Sequence, residues 1–143
     1  MTFLIDTTVV SELVKKEPDE RVLNWLGNQD EESLYLSVLT LGELEKGISK
    51  LRASARRDRL RIWLTRDLTA RFADRLLPVD AQVAARWGTL TGDSEKRGEP
   101  LPVIDSLIAA TALEHGFQVV TRNIADFVRC GVTCVDPWKD QPD

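Results

Sequence analysis

The segment that decides the fold is Phe3-Leu4-Ile5-Asp6-Thr7-Thr8-Val9-Val10, in which three apolar residues end at an aspartate. Short apolar or β-branched runs recur along the chain, at Leu34-Tyr35-Leu36, Leu76-Leu77, Gln118-Val119-Val120 and Val132-Thr133-Cys134-Val135. Longer stretches with helical periodicity lie between these runs. Short strands that alternate with helices predict an α/β fold with a mainly parallel sheet.

The stretches between the strands place apolar residues at steps of three and four, which is typical of amphipathic helices. The predicted helices are residues 8–16, a helix from Pro18-Asp19 with Val22, Leu23, Trp25 and Leu26 on its apolar face, residues 40–51, residues 81–92 with Val83, Ala84, Trp87 and Leu90 inside, and Val103–His115. Gly116 follows the last of these and is expected to end it.

Length and composition predict one globular domain spanning residues 1–143. The 143 residues are 43% hydrophobic, which is enough to bury one core. With 19 Lys and Arg against 23 Asp and Glu, the net charge of −4 does not favour general binding to polyanions. Since no apolar run is long enough to span a membrane and the N-terminus lacks a signal-peptide layout, a cytoplasmic location is expected, without membrane contact.

Few residues are available for thiol or imidazole chemistry. Cys130, Cys134 and His115 are too few and too widely spaced for a zinc site, so we expect the cysteines to be buried, reduced thiols. A catalytic triad would have to use His115, which falls in the predicted last turn of a helix. Carboxylates are plentiful, and any chemistry is expected there.

Two carboxylates follow predicted strands, one directly and one after a short loop. Asp6 comes after the first strand and Asp126 shortly after the fourth, and open α/β sheets bind ligands at the carboxyl ends of their strands. Each residue also has a purely structural interpretation, because aspartates are common helix N-caps and loop residues. Asp6 and Asp126 are therefore candidates for one shared site.

Two further carboxylates fall near predicted helix starts. Glu43 lies in Thr40-Leu41-Gly42-Glu43, which also fits a capping box, and Asp105 opens an apolar helix, where the helix dipole favours a negative charge. Four carboxylates at one sheet edge would repel one another unless protons or cations compensate them. Oxygen ligands without histidine or cysteine suit Mg²⁺ or Mn²⁺, the ions of metal-assisted nucleases.

A basic segment spans residues 46–75, with ten Lys or Arg against three Asp. Such a segment is either a solvated helical face or a surface that contacts phosphates. Trp63, within it, either packs in the core or stacks on a base or partner side chain. The apolar residues of the same region that could receive a partner helix are Leu51, Leu60, Ile62 and Leu64.

The chain resembles the PIN-domain ribonucleases, and especially the VapC and FitB toxins of bacterial type II toxin–antitoxin systems. The resemblance covers essentially the whole chain, down to Asp136-Pro137-Trp138, and is carried by residues 3–13, 37–48, 101–112 and 121–127. It implies a PIN-like three-layer fold, with a central parallel sheet of about five short strands flanked by helices.

The resemblance also implies the site residues and partners. Asp6, Glu43, Asp105 and Asp126 fall on the family's acidic quartet, which would hold Mg²⁺ or Mn²⁺ and cut RNA, with Asp6 and Asp105 as direct ligands. Thr7, Thr121 and Asn123 would support the quartet. Within the basic segment, the residues predicted to contact RNA are Arg52, Arg56, Arg57 and Arg59. The implied partners are an RNA substrate, a small VapB-like antitoxin, a second copy of the chain and, with the antitoxin, operator DNA.

One position departs from the family pattern. The family often has Asp-Thr-Asn after the first strand, whereas this chain has Asp6-Thr7-Thr8, so Thr8 or a water must take over what the Asn side chain orients. Two other functions remain as alternatives: a PIN module that binds RNA or protein without cleavage, and a receiver-type phosphoacceptor. The second is disfavoured because its lysine would have to be Lys139, which follows Pro137-Trp138.

Overall fold

Five short strands form one parallel sheet in the order β3-β2-β1-β4-β5 in the computed structural model, which describes residues 1–139. The strands are β1 (Phe3–Ile5), β2 (Leu34–Ser37), β3 (Leu76–Leu77), β4 (Gln118–Val120) and β5 (Cys134–Val135). The predicted α/β class and the five-stranded parallel sheet are confirmed. The single-domain prediction runs to residue 143, and residues 140–143 lie outside the described residues.

Helices connect the strands and cover both faces of the sheet. They are α1 (Thr7–Val10), α2 (Glu20–Gly27), α3 (Val38–Ser49), α4 (Ala55–Ile62), α5 (Thr69–Arg71), α6 (Ala81–Lys96), α7 (Val103–His115) and α8 (Ile124–Val128). Short 3₁₀ turns occupy Ser11–Val14 and Glu31–Ser33, and a π-helical stretch, Trp63–Leu68, continues α4. The bounds predicted for α7 are confirmed, and Gly116 ends it in the left-handed conformation, with φ at 72°.

The first strand shows why the sheet has three layers. Phe3 and Ile5 point into a core with α2 and α3, while Leu4, between them, points into a second core with α7 and α8. All three are buried, as expected for a strand covered on both faces. The ring of Trp25 packs edge-on against Phe3, with ring centroids 5.0 Å apart.

Some predicted details are wrong. The helix predicted at residues 8–16 breaks into α1 and a 3₁₀ turn, because Thr8, Val9 and Val10 are β-branched and weak helix formers. Leu23 and Ala84, placed on apolar helix faces, are exposed, since neither core reaches that far round α2 or α6. Leu64 is 4% exposed and packs into the core, so it is not available to a partner helix.

Neither cysteine takes part in a disulfide within residues 1–139. Cys130 and Cys134 are free thiols, the first buried and the second half-buried, and burial raises the pKa of Cys134 to about 11. Within residues 1–139, every helix is too short or too polar to cross a bilayer.

The direction in which strands are added to the sheet reverses between β1 and β4, which makes this position a topological switch point. From β1 the chain adds β2 and β3 on one side, and β4 and β5 on the other. Ligand sites of open parallel sheets lie outside the carboxyl ends of the two strands at such a point. Because Ile5 pairs with Val120, the next residues, Asp6 and Thr121, leave the sheet side by side.

Gly116 and Gly88 make a matched test of backbone strain. A Cβ added at either meets no atom within 4 Å, so only conformation distinguishes them. Gly116→Ala is expected to lower the free energy of unfolding by about 1–2 kcal/mol, because its positive φ disfavours any Cβ. Gly88→Ala, inside α6, is expected to raise it by about 0.5–1 kcal/mol. Urea denaturation measures both, and two changes of the same sign would contradict the assignment.

Candidate active site

Asp6 is a buried carboxylate at the end of β1. Its side chain is 2% exposed, and its Oδ2 accepts hydrogen bonds from the hydroxyls of Thr8 at 2.9 Å and Thr121 at 2.7 Å. Although it stands at the N-cap position of α1, the side chain makes no capping hydrogen bond. Within residues 1–139 no donor contacts Oδ1, which is thus left for a ligand from outside the chain.

Thr8 takes the place of the asparagine that the family often has there. Its hydroxyl donates to Asp6 and accepts a hydrogen bond from the backbone N–H of Arg122 at 3.2 Å. It therefore joins the end of β1 to the loop that follows β4. These two direct contacts make Thr8 the candidate for the role that the sequence left to Thr8 or a water.

Thr121 and Asn123 complete the support of Asp6. The Thr121 hydroxyl is buried and accepts from the backbone N–H of Asn123 at 2.9 Å while it donates to Asp6. Asn123 contributes through its backbone, since its side chain is exposed and makes no capping hydrogen bond to α8. Both residues lie beside the carboxylate, as the resemblance implied.

Glu43 faces α1 from the second turn of α3. Its Oε1 accepts a hydrogen bond from the hydroxyl of Thr7 at 2.6 Å, and the Thr7 hydroxyl also lies 3.3 Å from that of Thr40. The capping-box interpretation is wrong, because α3 begins at Val38 and is capped by Ser37, whose hydroxyl accepts from the N–H of Leu39. Glu43 is held by a side chain next to Asp6, which makes it part of the site.

The other three acids of the site raise the pKa of Asp105. Burial, the negative charges of Asp6, Asp126 and Glu43, and a hydrogen bond shared with Asp126 together raise its pKa to about 6. The four acids are thus close enough to interact, although they come from four separate segments. Neither Asp105 nor Asp126, both in the first turn of a helix, makes a helix cap.

Among the four acids, Asp126 is the one that forms an ion pair within residues 1–139. Asp126 lies 3.6 Å from the guanidinium of Arg129, and both side chains are partly exposed. This ion pair therefore offsets little of the negative charge of the site. Among residues 1–139, no three Asp, Glu, His or Cys side chains stand close enough together to ligate one metal ion as placed. The carboxylate oxygens, including the open Oδ1 of Asp6, are donors of the chemical type that a hard divalent cation requires.

The predicted RNA-contacting arginines are only partly near the acids. Arg56 lines a groove that also contains Thr7 and Glu43, whereas Arg57 turns back toward the carbonyl of Leu51. Arg52 and Arg59 are exposed, and Arg52 lines no part of that groove. Of these four, the structure brings Arg56 to the site.

Much of the basic segment is neutralised by carboxylates. Arg71 and Arg75 both bind Glu31, 40 and 44 residues earlier in the chain, and hold the pKa of Glu31 near 2. Arg61 pairs with Glu45. Of the two interpretations left open for residues 46–75, the ion pairs of Arg61, Arg71 and Arg75 favour a solvated, internally paired face for the C-terminal half.

Sequence reasoning missed Glu12. It is buried, its Oε1 accepts from the backbone N–H of Asp19 at 2.8 Å, and its Oε2 lies 2.9 Å from Lys15 Nζ. Burial raises its pKa, but the contacts with Lys15 and Asp19 outweigh that effect and leave the pKa below its usual value. The available signal was a charged residue between Val9-Val10 and Leu13-Val14, and its role is to fix the turn that follows α1.

Arg122 and Trp138 were also missed as a pair. The guanidinium of Arg122 lies 4.9 Å from the ring centre of Trp138, which is buried. This contact holds the loop that carries Thr121 and Asn123 against the end of the chain described here. Two residues 16 positions apart gave no sequence signal of contact.

Replacing Asp105 by asparagine is expected to stabilise the metal-free protein at neutral pH. With a pKa of about 6 in the folded state and 3.8 ordinarily, this carboxyl binds more protons when folded, so its contribution to the free energy of unfolding falls as pH rises between those values. Asp105→Asn should gain on the order of 1 kcal/mol at pH 7.5, allowing for solvent screening, and nothing near pH 4.

Urea denaturation in EDTA at several pH values measures this effect. Glu17→Gln, an exposed carboxylate outside the site, is the control and is expected to change little. If the gain in free energy of unfolding does not grow between pH 4 and pH 7.5, the pKa of Asp105 is not raised by its surroundings.

Comparison with known proteins supports the assignment of the family. The PIN-domain family model matches residues 3–131. VapC ribonuclease Y4jK of Sinorhizobium fredii is 37% identical over 136 residues, covering 95% of this chain and 97% of that protein. Toxin FitB of Neisseria gonorrhoeae is 35% identical over 137 residues, covering 96% and 99%.

The fold agrees with a solved structure of FitAB bound to an IR36 DNA fragment. The TM-score is 0.92 at 32% sequence identity, and the match covers 99% of both chains. The family model and both relatives extend over the segments that carry the four carboxylates. The chain therefore belongs to the PIN-domain family, together with the VapC and FitB proteins.

Proposed function

We propose that this protein is the toxin of a type II toxin–antitoxin system and acts as a Mg²⁺- or Mn²⁺-dependent endoribonuclease. The single observation that carries the proposal is the clustering of four carboxylates, those of Asp6, Glu43, Asp105 and Asp126. All four lie at one sheet edge and none caps a helix, so their mutual repulsion has no structural purpose. The ribonuclease names of relatives such as VapC ribonuclease Y4jK support the same activity.

The roles of the chain's own residues follow from the contacts. Asp6 would offer Oδ1 to the metal, since its Oδ2 is held by Thr8 and Thr121. Asp105 and Asp126 would be the partner ligands, and Glu43, oriented by Thr7, would hold the proton of an attacking water or bind a second ion. When bound, the metal would activate water and stabilise the leaving oxygen of the phosphodiester.

We extend the proposal to the partners. The solved FitAB complex on DNA supports a small antitoxin as the regulator and, with it, binding to operator DNA. A homodimer is also proposed, and Val103 and Val128, 60% and 56% exposed, offer apolar surface for an interface. One PIN domain over residues 1–143 and a cytoplasmic location complete the proposal.

Substitution of Asp6 by asparagine tests the proposed ribonuclease activity. Asp6→Asn keeps the hydrogen-bond acceptor but loses the charge that a metal needs, so cleavage of purified tRNA and rRNA should fall at least 10²-fold, roughly the effect of several kcal/mol. Wild-type cleavage should stop in EDTA and return with Mg²⁺ or Mn²⁺. Glu32→Gln, an exposed carboxylate away from the site, is the matched control and should cleave normally.

Full cleavage by Asp6→Asn would refute the metal-site assignment. RNA binding without cleavage by the wild-type protein in either metal would instead favour the non-catalytic module. Purification together with a short DNA-binding partner encoded in the adjacent reading frame would establish the toxin role independently of the substrate.

Thr8 is predicted to be a positioning residue. Thr8→Val removes both the donor to Asp6 and the acceptor for the Arg122 amide, so kcat should fall about 10-fold with little change in KM, because the RNA-contacting surface is intact. Thr8→Ser keeps the hydroxyl and should restore most activity. Loss of activity in both variants, or in neither, would contradict the role of the hydroxyl.

A further inference from the structure

The first turn of α7 carries Asp105 and has little to hold it at its start. The residue at the N-cap position is Pro102, whose side chain has no oxygen with which to cap the helix. Val103 and Ile104 are exposed, so within the chain they contribute little packing. Helix starts fray readily, because their first backbone N–H groups have no partners inside the helix. The position of Asp105 therefore depends on the contacts that fix this turn.

Ser106 fixes the turn from the buried side. Its side chain is fully enclosed, and its hydroxyl donates a hydrogen bond to the carbonyl of Val103 at 2.9 Å. Its backbone N–H donates to the carbonyl of Pro102, also at 2.9 Å. Asp105 lies in the chain between the two ends of both hydrogen bonds. Any loosening of Ser106 would thus reach the carboxylate next to it.

Trp87, in α6, fixes the hydroxyl of Ser106. The indole Nε1–H donates a hydrogen bond to that hydroxyl at 3.0 Å. An indole can donate but cannot accept, and a hydroxyl has a single hydrogen. Because the Ser106 oxygen accepts from Trp87, its own hydrogen is free to point at the carbonyl of Val103. The two hydrogen bonds therefore run in one direction, from α6 into the first turn of α7.

The packing of Trp87 singles out this hydrogen bond. The ring is half-buried and, within residues 1–139, belongs to neither of the two apolar cores. It sits on a long helix, α6, that packs against α7. The specific contact of the side chain is consequently its N–H, which ties the start of α7 to a rigid neighbour.

The first turn of α7 is also under load. Asp105 is close enough to Asp6, Glu43 and Asp126 for their negative charges to act on it. Like charges held together repel, and an unrestrained helix start would let Asp105 move away from the other three. A contact that holds the turn in place keeps the carboxylates together until a cation binds.

From these contacts we propose that Trp87 is a positioning residue. Through the hydroxyl of Ser106 it holds the first turn of α7, so that Asp105 stays within reach of a divalent cation shared with Asp6. The inference rests on the proposed metal-dependent function. Neither Trp87 nor Ser106 touches the metal or the RNA in this scheme, so their substitution changes metal affinity and leaves RNA affinity unchanged.

Binding of Mn²⁺ to the full chain without RNA is the first test, with free Mn²⁺ measured by electron paramagnetic resonance. Trp87→Phe keeps a ring but loses the N–H, and Ser106→Ala loses the hydroxyl. Each should weaken Mn²⁺ binding about 10-fold, as is typical for residues that orient metal ligands. The double variant should bind no more weakly than Ser106→Ala, because Trp87 acts through that hydroxyl.

Thr111→Val is the matched control. Thr111 is also fully buried in α7, and its hydroxyl donates to the carbonyl of Leu107 at 2.8 Å. The substitution deletes the same kind of hydrogen bond from the same helix, but beyond the turn that carries Asp105. Its Mn²⁺ affinity should equal that of the wild type. A loss equal to that of Trp87→Phe would show a general effect on the helix and would overturn the proposal.

Amide hydrogen exchange of the metal-free protein in EDTA tests the turn directly. In Trp87→Phe, a peptide covering residues 101–108 should exchange about 10-fold faster, the effect of losing one hydrogen bond. Exchange in β1 should stay at the wild-type rate, since the rest of the fold is intact. Thr111→Val should leave the first turn of α7 at the wild-type rate. Unchanged exchange of that turn in both Trp87→Phe and Ser106→Ala would contradict the proposal.

Cleavage assays separate a positioning role from a structural one. In Trp87→Phe, kcat at low Mn²⁺ should fall about 10-fold and recover at saturating Mn²⁺, with KM for RNA unchanged. Wild-type Mn²⁺ affinity in both Trp87→Phe and Ser106→Ala refutes the positioning role and leaves the nuclease standing. A wild-type protein that binds no Mn²⁺ refutes the proposed metal-dependent function, and the exchange of the first turn then decides alone whether Trp87 holds Asp105 in place.

Discussion

The structure depends on a buried negative charge at the end of the first strand. Asp6 is almost fully enclosed, and taking a carboxylate out of water costs free energy unless donors or cations replace the lost hydration. Thr8 and Thr121 supply two donors, and both hydroxyls are fixed by backbone amides of the loop after β4. The same contacts that make burial of Asp6 tolerable also fix the geometry of the site.

This arrangement follows from the sheet, and the sheet could be predicted from the sequence. Three apolar residues that alternate between two cores make β1 a central strand, and its parallel pairing with β4 places Asp6 beside Thr121. The alternation, the helical periodicity of α7 and Gly116 after it are all local patterns. The position of Asp6 beside β4 was therefore predictable from strand order, whereas Glu43 and Asp105 lie inside helices that the fold must bring toward it.

The parts that could not be predicted depend on contacts between distant segments or on competition between structural roles. Glu43, the last residue of Thr40-Leu41-Gly42-Glu43, could be part of a helix capping box or of a ligand site. The start of α3 at Val38 decides against the capping box. The pairing of Arg71 and Arg75 with Glu31 spans 40 residues or more, and composition cannot show which arginines are neutralised. Likewise, that Thr8 replaces an asparagine by reaching both Asp6 and the Arg122 amide is a property of the folded loop alone.

Charge is separated in space more sharply than net charge indicates. The chain carries −4 overall, yet the acids gather at one sheet edge while one face of α4 keeps two unpaired arginines a short distance away. If the two groups were in contact, Arg56 and Arg59 would neutralise the carboxylates and remove the need for a metal. Arg56 lines the same groove as Glu43, yet within residues 1–139 the two form no ion pair. The carboxylates therefore keep a negative charge that a cation from outside the chain can compensate, which is what the proposed chemistry requires.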